Sequence, residues 1–98
     1  MARRSAVETC QSTLDLGERL QQMNELARAE GIYLRHLRDD PGNADILVEL
    51  GLCLVDSRRP DEALDRFNAA LSTAPDHARG RYGRAVALER VAALARPF

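Results

Sequence analysis

The sequence has no lysine and no tryptophan, two cysteines, two tyrosines and two phenylalanines among 98 residues. All fourteen basic residues are arginine, which reads as the coding bias of a GC-rich bacterial genome. Cys10 and Cys53 have no CxxC spacing and no histidine at ligand spacing. That excludes a disulfide scaffold and a zinc site, and it fits a reduced, cytoplasmic chain. No apolar run approaches the ~20 residues a membrane span needs. Arg3 and Arg4 have no apolar segment behind them, so neither a secretory leader nor a twin-arginine export signal is expected. No stretch alternates like a strand, so the chain is expected to be all-α. With 15 acids against 14 arginines the net charge is −1, which argues against a general nucleic-acid or membrane binder. The length fits a single domain over 1–98 with a modest core of its own.

Catalytic chemistry is also missing. His36 lies among Tyr33 and Leu37 on one helix face and reads as a packed structural histidine. His77 follows a loop and is expected to be solvated. Ser5, Ser12, Ser57 and Ser72 lack a nucleophile-elbow setting. Asp39, Asp40 and Asp45 lack the spacing of a calcium loop. The glycines are scattered and form no phosphate cradle. Cys53, set between leucines, reads as a small buried hydrophobe. No cofactor, no metal and no enzymatic activity are expected.

What is present is a repeat. Displacing the chain by 34 residues aligns Leu16 with Leu50, Gly17 with Gly51, Leu20 with Leu54, Ala29 with Ala63, Leu37 with Leu71 and Pro41 with Pro75. Tyr33 meets Phe67. Small residues meet small, ring meets ring and proline meets proline, the sign of stacked supersecondary units.

This pattern resembles the tetratricopeptide repeat family, whose 34-residue signature runs from Leu-Gly through a large residue, an alanine and an aromatic to a proline. One copy spans about 10–43, a second about 44–77, and a partial copy about 78–95. Three positions depart from the family: Thr13 replaces a bulky residue, His36 a small one and Arg84 a leucine. The resemblance implies antiparallel helix hairpins stacked as a short right-handed solenoid of five helices, the last one a capping helix. Gly17, Gly51 and Ala85 would let paired helices approach closely.

Periodicity and breakers place the helices at about 7–22, 25–38, 44–57, 60–73 and 77–94. Asn43 is expected to cap the third and Asp76 the fifth. Pro60, followed by Asp61 and Glu62, suits the start of the fourth. Pro97 should stop the fifth.

In this family the first helices of successive repeats line a concave groove that binds another protein or a peptide. The resemblance maps that groove here to Gln11, Asp15, Glu18 and Gln22, then to Asp45, Val48, Glu49, Leu52 and Asp56, then to Arg79, Tyr82, Val86 and Arg90. One subclass grips carboxylate tails through Lys and Asn. Here Leu14, Glu18 and Glu49 hold those slots, and carboxylates would repel such a tail. A basic or amphipathic peptide is expected instead.

Charge is segregated along the chain. Residues 8–76 carry fourteen acids and seven arginines, whereas residues 77–98 carry five arginines and one acid. Leu88, Val91, Leu94 and Phe98 follow helical spacing and are candidates for self-association into a homo-oligomer. The arginine-rich segment 79–96, with Tyr82 alone for stacking, makes nucleic acid the weaker alternative.

Overall fold

A computed structural model of the chain describes residues 6–96, with side chains from Cys10 onward. Arg3, Arg4, Pro97 and Phe98, each given a role above, lie outside the described residues. The described residues form five helices and no strand: α1 Ala6–Gln22, α2 Leu26–Asp39, α3 Ala44–Asp56, α4 Pro60–Thr73 and α5 Ala78–Ala95. Each lies within one or two residues of its expected limits, and α4 matches them.

The 34-residue period is also written in the turns. Asn24 and Arg58, at φ 59 and 63, are the two residues in left-handed conformation among the described residues, one inside each hairpin. Behind them the Glu25 amide donates to the Leu20 carbonyl at 2.7 Å and the Arg59 amide to the Leu54 carbonyl at 2.9 Å. These bonds end α1 and α3 in the same way. Between hairpins, Asn43 accepts from the Ile46 amide at 3.1 Å and caps α3 as expected. Thirty-four residues later the cap of α5 is His77, not Asp76: its Nδ1 accepts from the Gly80 amide at 3.1 Å. The ring is not solvated either. Its Nε2 donates to Asp45 at 2.7 Å, and its side chain is 18% exposed.

Sequential helices pack in pairs, and α3 touches all four others. The solenoid measures 59 × 30 × 20 Å. Its core centres on α3, which buries Ile46, Leu47, Val48, Leu50, Gly51, Cys53, Leu54 and Val55. The two rings are its largest fully buried side chains. Tyr33 lies over Gly17, where any side chain would collide with it. A Cβ at Gly51 would stand 2.6 Å from the Phe67 ring.

Ala85 does not repeat this arrangement. It is exposed, and α5 instead approaches α4 through Gly80 and Gly83. A Cβ at Gly80 would meet Val48 and Leu71 at 3.2 Å, and one at Gly83 would run into Phe67. The reason is that α5 packs on α4 and α3, against the same Phe67 edge that Gly51 meets, and has no hairpin partner of its own among the described residues.

Two departures from the repeat pattern answer each other. Thr13 is smaller than the residue usual at its position and His36 is larger, and the Thr13 hydroxyl and His36 Nδ1 meet at 3.0 Å. The His36 ring is buried, with Nε2 3.4 Å from Asp40. Arg84, the third departure, is exposed.

Burial pushes the Tyr33 phenol up to about 12, with the Gln21 hydrogen bond acting the other way. Burial likewise pushes the Cys53 thiol up to about 11. Both groups then ionise more readily in the unfolded chain. Folding stability should therefore be intact below about pH 9 and fall as the pH rises, through 9–11 for Cys53 and 10–12 for Tyr33. An alkaline titration followed by helical circular dichroism should show this loss, and Tyr33→Phe should delay its upper part. A transition unmoved by Tyr33→Phe would contradict a phenol held neutral by burial.

Candidate functional site

Because α3 contacts α1 on one side and α5 on the other, these three helices form one wall of the solenoid. A groove of about 530 Å³ runs along it, lined by Gln11, Leu14, Asp15, Glu18, Gln21 and Gln22 of α1, Glu49 of α3 and Arg79 of α5. A smaller hollow of about 250 Å³ beside it is bounded by Asp15, Glu18, Arg19 and Gln22.

The i, i+3, i+4 spacing of Gln11, Asp15, Glu18 and Gln22 puts them on one face of α1. Gln11 donates to Asp15 at 2.9 Å, a bond along that face. Gln21 is held from below, donating at 2.6 Å to the Tyr33 hydroxyl, the one polar atom of that ring. Across the groove Arg79 grips Glu49 with two hydrogen bonds, Nε to Oε2 at 3.0 Å and Nη2 to Oε1 at 3.1 Å. This fork geometry is the stronger kind of ion pair, and the bond to Glu49 pushes the guanidinium further up. Glu49 is half-buried and Arg79 exposed, so the pair forms a strap across the junction of α3 and α5. Three carboxylates face the groove with one guanidinium, which is already engaged; the side chains of Asp15 and Glu18 remain as excess negative charge.

Of the positions mapped above, the structure brings together Gln11, Asp15, Glu18, Gln22, Glu49 and Arg79. The others lie elsewhere. Val48 is fully buried under Gly80, which removes it from any ligand-accessible surface. Asp45 is occupied by His77 at the capped end of α5. Leu52 and Val86 are half-buried against the core. Asp56, Tyr82 and Arg90 are exposed but do not line the groove. Gln21 was missed, and only its neighbour Tyr33, which orients it, marks it out. Of the self-association set, Leu88 and Leu94 are 51% and 73% exposed. Val91 is half-buried, four residues beyond the buried Ala87.

Among the described residues no cluster of His, Cys, Asp or Glu could hold a metal ion, and no helix is long and apolar enough to cross a membrane.

Stacked hairpins with a groove along their first helices define a helical-repeat protein. Residues 14–77, and again 54–91, match the tetratricopeptide repeat, and the chain belongs to that family. It is 32% identical over 80 residues to protein O-mannosyl-transferase TMTC3 of Homo sapiens, covering 81% of this chain and 9% of that protein. It is 41% identical over 67 residues to uncharacterized protein y4yS of Sinorhizobium fredii, covering 64% of this chain and 37% of that protein. The chain thus spans well under two thirds of either relative. Membership of the family makes it a protein–protein interaction module.

Proposed function

We propose that this chain is a non-catalytic, cytoplasmic adaptor, scaffold or chaperone-like holder that takes a basic or amphipathic peptide or helix in the groove of α1, α3 and α5. The observation that carries this reading is the charge around the groove: Asp15, Glu18 and Glu49 against Arg79 alone. Leu14 supplies the apolar contact an amphipathic segment needs. A carboxylate tail would meet repulsion here, whereas an arginine or lysine side chain finds acceptors. The free thiols Cys10 and Cys53 support a reducing compartment.

The test is fluorescence anisotropy with a labelled arginine/leucine amphipathic peptide and its neutral glutamine counterpart. Wild type should prefer the basic peptide. Glu49→Arg should weaken that binding by about tenfold or more, equivalent to ~1.4 kcal/mol. Because Glu49 also holds Arg79, Asp15→Asn with Glu18→Gln provides a second variant that leaves this strap untouched. Equal affinity for both peptides, or undiminished binding by both variants, would sink the acidic-groove reading.

A further inference from the structure

We infer that the uncovered face of α5 is a second docking surface, and that its occupant is an acidic amphipathic helix of another protein. The groove reading does not require this surface, which lies on a different side of α5.

The repeat register identifies the face. On α1 the repeated position is Gly17, covered by Tyr33 of α2; on α3 it is Gly51, covered by Phe67 of α4. On α5 it is Ala85, and no described helix covers it. Ala78, Ala85 and Ala92 are seven residues apart, as are Arg81 and Leu88. That spacing gathers them on one stripe of the helix, and all five are exposed. The stripe is narrow and small-sided around one protruding leucine, a shape that lets a second helix approach closely.

Its chemistry selects the occupant. Arg81, Arg84, Arg90 and Arg96 are all exposed, and among the described residues none of them makes an ion pair. By contrast, Arg59 pairs with Glu30 and Glu62, and Arg79 with Glu49. The single acid of α5 is Glu89. Arg81 and Arg84 adjoin the alanine–leucine stripe, and their unneutralised guanidinium groups complement carboxylates flanking an apolar seam; Arg90, seven residues beyond the buried Gly83, lies on the opposite face.

Other occupants fit less well. A second copy paired α5 to α5 would set these arginines against their own kind. A single-stranded nucleic acid needs stacking platforms, and Tyr82 is the one aromatic side chain of α5. A helix that nests a ring, as Tyr33 and Phe67 do, is blocked by the methyl of Ala85. The docked helix therefore carries a small or aliphatic residue at that crossing.

The experiment uses the 98-residue chain and a labelled synthetic helix of about 20 residues built from Glu, Ala and Leu in heptad order, with a neutral Gln counterpart. Anisotropy should show the Glu helix binding at least about tenfold more tightly than the Gln helix. Leu88→Glu, and separately Arg81→Glu with Arg84→Glu, should each abolish most of that difference while helical content is unchanged. The groove variant Asp15→Asn with Glu18→Gln should leave it intact. Four results would overturn the inference: no preference for the Glu helix; loss of its binding in the groove variant but not in Leu88→Glu; a dimer in sedimentation equilibrium that Leu88→Glu dissolves; or tighter binding of a single-stranded oligonucleotide than of the Glu helix. Failure of this site leaves the groove reading standing, since the two are probed with peptides of opposite charge and variants on different helices.

Discussion

Phe67→Ala should cost about 3–5 kcal/mol, at the upper end for loss of a core ring. Phe67 is fully buried between α3 and α5, with Gly51 and Gly83 both against its Cδ1–Cε1–Cζ edge. Neither glycine has a side chain that could swing into the vacated space, so the hole can close only by moving whole helices. A chain of this length has a total stability on the order of 5–15 kcal/mol, so one substitution removes about a fifth of it or more. In a urea titration followed by circular dichroism, the midpoint should fall by about 2 M with an unchanged slope. A loss below about 1 kcal/mol would show that α5 closes over the cavity and that the ring does not set the spacing of α3 and α5.

Gly83→Leu should also destabilise, by about 3 kcal/mol, although helix propensity alone favours leucine over glycine by several tenths of a kcal/mol. The sign is decided by space. Any Cβ at Gly83 runs into the Phe67 ring, and that ring has little room to give because Gly51 of α3 is packed against the same edge. Gly31 is the contrasting site: it lies within α2, and a Cβ there would meet nothing within 4 Å. Gly31→Ala should therefore stabilise the chain by about 0.5–1 kcal/mol, the usual gain when alanine replaces glycine in an open helix. Thermal melts of the two variants should move in opposite directions. Movement in the same direction would mean that propensity, and not the Phe67 contact, governs position 83.

What could be read in advance was whatever repeats locally. Pro41 and Pro75, the paired rings and the Leu-Gly steps placed all five helices, because breaker chemistry and a 3.6-residue period act over a few residues. Asn43 was legible as a cap for the same reason. His77 was not, although it lies 34 residues beyond Asn43: the neighbouring aspartate is the better cap by residue type, and the histidine prevails because Asp45, on another helix, holds its far nitrogen. Val48 was misread as a groove residue because its helix is covered on more sides than a helical wheel of α3 alone reveals. Ala85 was misread because the register marks where a hairpin partner would lie, while α5 makes its close approach one face away, at Gly80 and Gly83. Half of the groove followed from side-chain spacing on α1. The Glu49–Arg79 strap joins residues 30 apart in sequence, and only the packing of α3 against α5 reveals it.

The central position of α3 has a consequence for how the groove behaves over time. Local opening costs least where a segment has few buried contacts and most where it is surrounded. Helix α3 is enclosed by all four others, while α1 rests on α2 and α3 and α5 on α3 and α4. The groove is thus a rigid floor between two walls that swing more easily than the floor moves. Arg79, reaching from the loose wall of α5 to Glu49 on the floor, acts as a tether. The α1 wall carries Asp15 and Glu18 and has no such ion-pair strap to α3 among the described residues. A bound segment that bridged α1 to α3 would supply the missing tether. Its affinity would then be set as much by the motion it stills in α1 as by the contacts it makes.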